Sequence, residues 1–268
     1  MSLLDSLLED LSMEGFELRQ VVAGLSEAGW REPTPAAGWD VAAQIAHLAW
    51  TDEAALAATE WVAGDATAWD ELVTEGIKNP EGYVDEAALA LATMPATDLL
   101  EHWDGVRGEL AGALANVPSG QKLPWFGPPM SPASMATARF METWAHGLDV
   151  REALGLTYEP SDRIKHVCHL GTRTRDFSYG VHGLTPPSSP FRIELTAPSG
   201  EVWEWGPEDA AQSVRGPAYD FARLVTQRIH RDDTALEATG DDAEKWLSIA
   251  QAFAGPAGSG RAPEGDAR

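Results

Sequence analysis

A short segment near the middle of the chain carries three side chains that can bind a metal ion or move a proton. In RFMETWAHGLDVR, residues 139–151, Glu142 is followed four residues later by His146 and seven residues later by Asp149. An α-helix has about 3.6 residues per turn, so these spacings place the three side chains close together on one face. The segment therefore predicts two metal ligands, Glu142 and His146, with Asp149 as a neighbouring acid.

A third ligand has to come from another helix, because a catalytic zinc ion is usually held by three protein groups. His47 lies in the apolar sequence IAHLAW, within an alanine-rich stretch that favours helix, and Gln44 precedes it by three residues. A plainer interpretation stays open at this point. A Glu–His pair at this spacing is common as a solvated ion pair, and a histidine on an apolar face is more often a hydrogen-bonded core residue.

Helical periodicity of apolar residues predicts the elements that position these side chains. We predict four long helices, at residues 3–27, 39–63, 98–116 and 131–155. Thr97 or Asp98 is the expected cap of the third helix, and Ser131 or Ser134 that of the fourth. Four long helices with connections of variable length form a bundle, and bundle cores build metal sites from facing helices.

The pattern changes after Gly155. A fifth helix is expected at residues 161–177, and FRIELTAP and EVWEWG alternate apolar and polar residues around a Pro-Ser-Gly turn, as in a β-hairpin. Two further helical segments follow. The predicted fold class is α+β, with a four-helix bundle at 1–155, a smaller C-terminal α+β domain at 156–255 and a disordered tail at 256–268.

Composition limits the classes of partner. The 268 residues carry a formal net charge of −23 and no cluster of Lys and Arg, which disfavours nucleic acid and anionic membrane surfaces. Apolar runs are too short for a membrane span, and the acidic N-terminus lacks the features of a secretory signal, so we expect a cytoplasmic protein. The single cysteine, Cys168, is expected to be a buried apolar residue and not a nucleophile.

Two motifs, GWDVAAQIAHLAWTD and ETWAHGLDVREALG, follow one another in order along the chain. Together they resemble the metal-binding N-terminal domain of the mycothiol-dependent maleylpyruvate isomerases, within the DinB-like superfamily. The resemblance covers roughly residues 5–155 and implies that His47, Glu142 and His146 bind a divalent metal, normally zinc. We expect Asp149, or alternatively Gln44, to orient a ligand histidine through its other ring nitrogen.

The C-terminal sequence VRGPAYDFARLVTQR is similar, more weakly, to the second domain of the same family. This resemblance places Arg228 at the family's arginine and implies a catalytic contact between Arg228 and a substrate anion. Arg215 and Arg223 are the competing basic residues, and for any of the three a solvated surface charge is the plainer interpretation. The VTQR sequence departs from the leucine-rich segment usual at this point, so it does not identify the substrate.

The resemblance implies a zinc-dependent, mycothiol-using transferase or isomerase, which acts on a small electrophile through a metal-bound thiolate. The alternative is a metal-binding and thiol-conjugate-binding module without turnover. The expected partners are a small-molecule thiol and a small electrophilic substrate, with no nucleic acid and no membrane. The expected oligomeric state is a monomer or a homodimer.

Overall fold

The structure, a computed structural model, describes residues 2–80 and 82–265 of the chain. The chain divides into two compact units, Met1–Tyr158 and Glu159–Arg268. No helix within the described ranges combines the length and the apolar character that crossing a membrane requires.

The first unit is helical. Its helices are α1 (Leu3–Val22), α2 (Glu27–Trp30), α3 (Val41–Ala63), α4 (Thr67–Lys78), α5 (Tyr83–Leu91), α6 (Ala96–Asn116) and α7 (Pro132–Ala153). The four long helices form the bundle, in which α3 packs against α6 and α7, and α1 packs against the same two helices from the other side. The short helices α4 and α5 both pack on α3. This arrangement is the four-helix bundle predicted from the sequence.

Helix α3 lies at the centre of the first unit. Every residue from Val41 to Asp52 is buried, because neighbouring helices cover α3 on several sides and its many alanines allow them to approach closely. Asp40 caps the N-terminus by accepting a hydrogen bond from the N–H of Ala43 at 2.8 Å. Gly64 ends the helix with a φ of 104°, which favours glycine. Any polar side chain in the first half of α3 is therefore held inside the bundle.

Two helix ends in the first unit differ from the prediction. The first helix ends at Val22 and not near residue 27, and a separate short helix follows it. Helix α6 begins at Ala96, directly after Pro95, so the predicted caps Thr97 and Asp98 lie inside its first turn. Proline suits the position before a helix because it needs no N–H partner there, and the Asp98 carboxylate still stabilises the positive end of the helix dipole.

The second unit combines helices with one small sheet. Its elements are α8 (Lys165–Arg173), α9 (Arg175–Val181), β1 (Phe191–Thr196), β2 (Val202–Trp205), β3 (Gln212–Pro217), α10 (Ala218–Val225), β4 (Glu237–Thr239) and α11 (Asp241–Leu247). The strand order is β2-β1-β3-β4. The predicted hairpin is the antiparallel pair β1 and β2, while β3 runs parallel to β1 and antiparallel to β4.

Several features of the second unit were not predicted correctly. The fifth helix is broken at Thr174 into α8 and α9, and the last helix ends at Leu247, although helical periodicity in the sequence continues to residue 255. Strands β3 and β4 were missed because each is short and lacks a clear alternation of apolar residues. Residues 256–265 of the predicted disordered tail contain neither helix nor strand, and the last three positions lie outside the described residues. Disorder of this tail stays a prediction.

Cys168 lies in α8 and is fully buried, as the sequence predicted. Burial raises the pKa of its thiol far above the usual value for cysteine. The thiol contacts the carbonyl oxygen of Ala218 at 3.4 Å. This residue is therefore a small core side chain.

Candidate metal centre

Helices α3 and α7 bring together the three side chains that the two sequence motifs singled out. His47, Glu142 and His146 each offer a ligand atom, and these atoms all lie within 4.8 Å of one another. Nε2 of His146 is 3.1 Å from Oε2 of Glu142, and Nε2 of His47 is 3.5 Å from the same oxygen. One carboxylate oxygen thus lies between two imidazole rings.

The two ligands of α7 owe their direction to a well-defined helix. Ser131 caps α7 by accepting a hydrogen bond from the N–H of Ser134 at 3.1 Å, and Pro132 occupies the first helical position. From this start, Glu142 and His146 fall one turn apart on the side of α7 that faces α3. The side chains of His47, Glu142 and His146 are 9%, 19% and 13% exposed, so a small molecule can reach the cluster at its edge.

The ionisation of the cluster suits a cation. Burial, together with the charge of the neighbouring His146, lowers the pKa of His47 to about 4, so His47 is neutral at pH 7. Burial alone would raise the pKa of Glu142, but its contacts with the rings of His146 and His47 and the charge of Arg139 together hold it well below its usual value. A neutral imidazole and an ionised carboxylate are the forms in which these side chains bind metals.

A chain of hydrogen bonds fixes the orientation of His146. The hydroxyl of Thr34 donates to the carbonyl oxygen of Trp39 at 2.9 Å, so it accepts from Nε2 of Gln44 at 2.8 Å. Oε1 of Gln44 is then the acceptor for Nδ1–H of His146 at 2.5 Å. In the neutral form of the ring, Nε2 of His146 is then the nitrogen that carries the lone pair, and it lies toward Glu142.

These contacts allow a test of whether the residues fit a divalent cation. A lone pair of His146 and an ionised oxygen of Glu142 face each other, an arrangement that a positive charge between them stabilises. Nδ1 of His47 is also buried and has no hydrogen-bond partner among the described residues. Two imidazoles and one carboxylate form a donor set of catalytic zinc sites. The residues therefore fit a divalent cation.

The other predicted site residues have separate positions. Asp149, which was expected to orient a ligand histidine, is buried on α7, while Nδ1 of His146 is bonded to Gln44, the alternative. Arg228 belongs to the second unit, where its Nη1 donates to the carbonyl oxygen of Thr226 at 2.6 Å. The roles of Gln44, Asp149 and Arg228 stay predictions.

The competing arginines are engaged with acids of the second unit. Arg223 donates to Asp220 on the same helix at 2.8 Å, and Arg215 contacts Glu194 across the sheet. Both belong to ion pairs, as expected of surface charges.

Two charged residues beside the cluster were missed by the sequence analysis. Arg139 is only 2% exposed, and its guanidinium lies 3.8 Å from Oε1 of Glu142 and 3.8 Å from Oδ1 of Asp52. Burial raises the pKa of Asp52 to about 6, against the opposing charge of Arg139. The sequence shows that Arg139 stands one helical turn before Glu142. It does not show that the charged groups of Arg139 and Asp52 are buried.

Aromatic rings surround the cluster on two sides. The ring of Trp39 stacks on His146 at 5.9 Å between centroids, and the ring of Trp50 lies 6.4 Å from that of His47. Trp50 in turn stacks on Phe126, which is 46% exposed on the loop between α6 and α7. We call the connected rings on this side the aromatic wall: Trp50, Trp69, Tyr83, Trp125 and Phe126.

A cavity of about 480 Å³ lies beside Trp39 within the first unit. Its lining includes the charged side chains of Arg31 and Asp40 and the hydroxyl-bearing residues Thr34 and Thr93. Trp39 is shared by this cavity and by the rings of the cluster, because it also stacks on His146. The cavity therefore combines polar groups with an aromatic ring next to the candidate ligands.

Comparison with known proteins identifies relatives along nearly the whole chain. The family model described as "Mycothiol maleylpyruvate isomerase N-terminal domain" matches residues 11–151, and one described as "Wyosine base formation" matches residues 187–239. An uncharacterized protein of Mycobacterium tuberculosis, found in strains CDC 1551 / Oshkosh and ATCC 25618 / H37Rv, is 53% identical over 252 residues. That match covers 94% of this chain and 96% of the relative.

Solved structures give the same picture of the fold. The crystal structure of the mycothiol-dependent maleylpyruvate isomerase matches with a TM-score of 0.62 at 15% identity, over 88% of this chain and 92% of that one. A mutant of that enzyme matches with a TM-score of 0.60 at 15% identity, over 84% and 89% of the two chains. At this identity the likeness concerns the fold, and it confirms the predicted fold class. The first family model matches just over half of the residues of this chain. The chain therefore belongs to the mycothiol maleylpyruvate isomerase N-terminal domain family.

Proposed function

We propose that this protein is a metal-dependent enzyme that uses mycothiol to transform a small electrophile, by thiol transfer or by isomerisation. The metal, zinc in this proposal, is held by His47, Glu142 and His146. The observation that carries the proposal is the convergence of these three side chains within 4.8 Å at an accessible edge of the bundle. Membership of the family supplies the thiol and the class of reaction.

The chain's own residues prepare the site for a thiol. When bound, a divalent cation supplies positive charge that lowers the pKa of a coordinating thiol. Three protein ligands leave a further position for that thiol. Gln44 orients the ring of His146, and burial keeps His47 neutral at pH 7, the form in which it can act as a ligand.

Two features beside the ligands correspond to the two reactants. We assign the cavity next to Trp39 to the body of mycothiol, a hydroxyl-rich thiol, because its lining includes Arg31, Asp40 and the hydroxyl groups of Thr34 and Thr93. We assign the aromatic wall, reached from His47 through Trp50, to the electrophile. The exposed ring of Phe126 would shield the reacting thiol from water.

Two more residues, Arg228 and Asp149, are part of the proposal. Arg228 is assigned to an anionic group of the substrate on the basis of its sequence context alone. Asp149, buried three residues after His146, is assigned a supporting role in the helix that carries two of the ligands. The metal chemistry itself is assigned to residues 1–155.

The test is metal analysis of the purified protein together with titration by mycothiol. We expect about one divalent ion per chain. His47→Ala should lose most of the metal and of the thiol affinity, whereas His182→Ala, at an exposed position in the second unit, should keep both. Absence of metal from the wild-type protein, or unchanged thiol affinity in the His47 variant, would refute the proposal.

A module without turnover is the alternative, and a panel of electrophiles offered with mycothiol separates the two. Turnover of any one of them excludes the passive module. We assign no RNA-modifying role from the match at residues 187–239, because the net charge of −23 opposes phosphate backbones. Arg192 and Arg215 of the sheet are moreover paired with Glu194 and Glu204.

A further inference from the structure

Arg139 occupies an unusual place for a charged side chain. It lies in α7, one turn before Glu142, and only 2% of it is exposed. The guanidinium is 5.7 Å from the centroid of the Trp125 ring, which belongs to the aromatic wall. Burying a charge is costly unless other groups compensate it. The groups that compensate Arg139 are two carboxylates, Asp52 and Glu142.

The contacts divide the two oxygens of Glu142 between different partners. Oε2 faces the rings, at 3.1 Å from His146 and 3.5 Å from His47. Oε1 faces the other way, at 3.8 Å from Nη2 of Arg139. The carboxylate is thereby oriented with a single oxygen toward the candidate metal position.

The geometry of Arg139 is not that of a strong structural ion pair. Both of its contacts to carboxylate oxygens are 3.8 Å long, beyond hydrogen-bond distance, and its buried Nε and Nη1 have no hydrogen-bond partners among the described residues. A bidentate arginine–carboxylate pair would satisfy these donors. The arrangement therefore places positive charge beside Oε1 of Glu142 at the expense of good hydrogen bonding.

We propose that Arg139, backed by Asp52, is a positioning residue that reserves Oε1 of Glu142 for itself, so that Glu142 binds the metal through Oε2 alone. A carboxylate that bound through both oxygens would add a ligand to the metal and so weaken its binding of the incoming thiol. The neighbours of a ligand commonly set its orientation in this way. This inference rests on the proposed metal site and adds a reason why that site stays open to a thiol.

The test uses the full-length protein loaded with Co²⁺, whose visible absorption reports the number of ligands. We compare the wild type with Arg139→Lys, which keeps the charge, and with the double variant Arg139→Met/Asp52→Asn, which removes both buried charges together. We expect strong four-coordinate absorption with Arg or Lys, and weaker five-coordinate absorption in the double variant. Affinity of the double variant for a small thiol should fall on the order of 10-fold.

Arg151→Met is the matched control. Arg151 is another buried arginine of α7, but it donates to the carbonyl oxygen of Gly147 and lies over the ring of Tyr158. We expect this variant to keep the wild-type cobalt spectrum, even if it loses stability. Equal spectra and equal thiol affinities in the wild type and the double variant would overturn the inference while leaving the metal site intact. A wild-type protein that binds no Co²⁺ or Zn²⁺ would overturn the proposed function and this inference together.

Discussion

At the scale of single residues, the site depends on buried groups whose charges are set by their neighbours. His47 is neutral because it is buried, whereas Glu142 is ionised because two rings and an arginine favour its charged form. Behind them, Asp52 and Arg139 are each almost fully buried. These four side chains come from only two helices, so a change at any one of them alters the electrostatics of the others.

Asp52 should leave a signature in the pH dependence of stability. Burial raises its pKa from 3.8 to about 6, so between these values the folded protein holds a proton that the unfolded chain releases. Stability from this group is therefore lost as the pH rises through that window, by about 3 kcal/mol. Asp52→Asn removes the effect, and its stability relative to the wild type should increase by about 2 kcal/mol of this between pH 4 and pH 6.

Urea unfolding of both metal-free proteins at several pH values measures this difference. Each absolute curve includes many other carboxylates, whereas the difference between the two proteins isolates Asp52. Parallel curves would contradict the expected burial of the carboxyl group.

At the scale of elements, α7 determines the position of two ligands, and its start is fixed by one hydroxyl group. Ser131→Ala should lower the free energy of unfolding by about 1 kcal/mol, because it removes the side-chain acceptor for the N–H of Ser134. Metal affinity should stay unchanged, because Glu142 lies three turns further along the helix. Urea unfolding and a chelator competition measure the two quantities.

Ser134→Ala is the control for the cap. This variant keeps the backbone N–H of residue 134, which donates to Ser131. It removes only the contact between the hydroxyl groups of Ser131 and Ser134, which is 2.9 Å long. A loss of stability from Ser134→Ala equal to that from Ser131→Ala would argue against Ser131 as the capping residue.

The sequence was most informative where one helix carries a strong local signal. Periodicity and capping residues predicted α3 and α7 together with the candidate ligands on them, and the i, i+4 spacing of Glu142 and His146 predicted their shared face. The hydrogen bond from His146 to Gln44 and the burial of Arg139 depend on packing between helices that are far apart in sequence, so periodicity could not show them. Strands β3 and β4 were missed for a similar reason, since pairing with distant strands stabilises them.

At the scale of the whole molecule, the candidate metal site lies entirely in the first unit. The ligands, Gln44, Thr34 and the Arg139–Asp52 pair all precede residue 158. A unit of this size can bury a core of its own. We therefore expect a fragment of residues 1–158 to fold and to bind a divalent metal with the stoichiometry of the full chain.

Circular dichroism and metal analysis of the fragment check this expectation. The same fragment carrying His47→Ala serves as the control and should fold without retaining metal. A folded fragment that binds no metal, beside a full chain that does, would mean that the second unit contributes to the site.

The burial of Cys168 has a consequence for a protein that handles electrophiles. The chain contains one cysteine, and its thiol is enclosed in the core of the second unit with a raised pKa. Reactive compounds that reach the bundle therefore meet no accessible protein thiol with which to form an adduct. If the protein works on such compounds, alkylation of a cysteine cannot readily inactivate it, and the small-molecule thiol is the thiol that they meet.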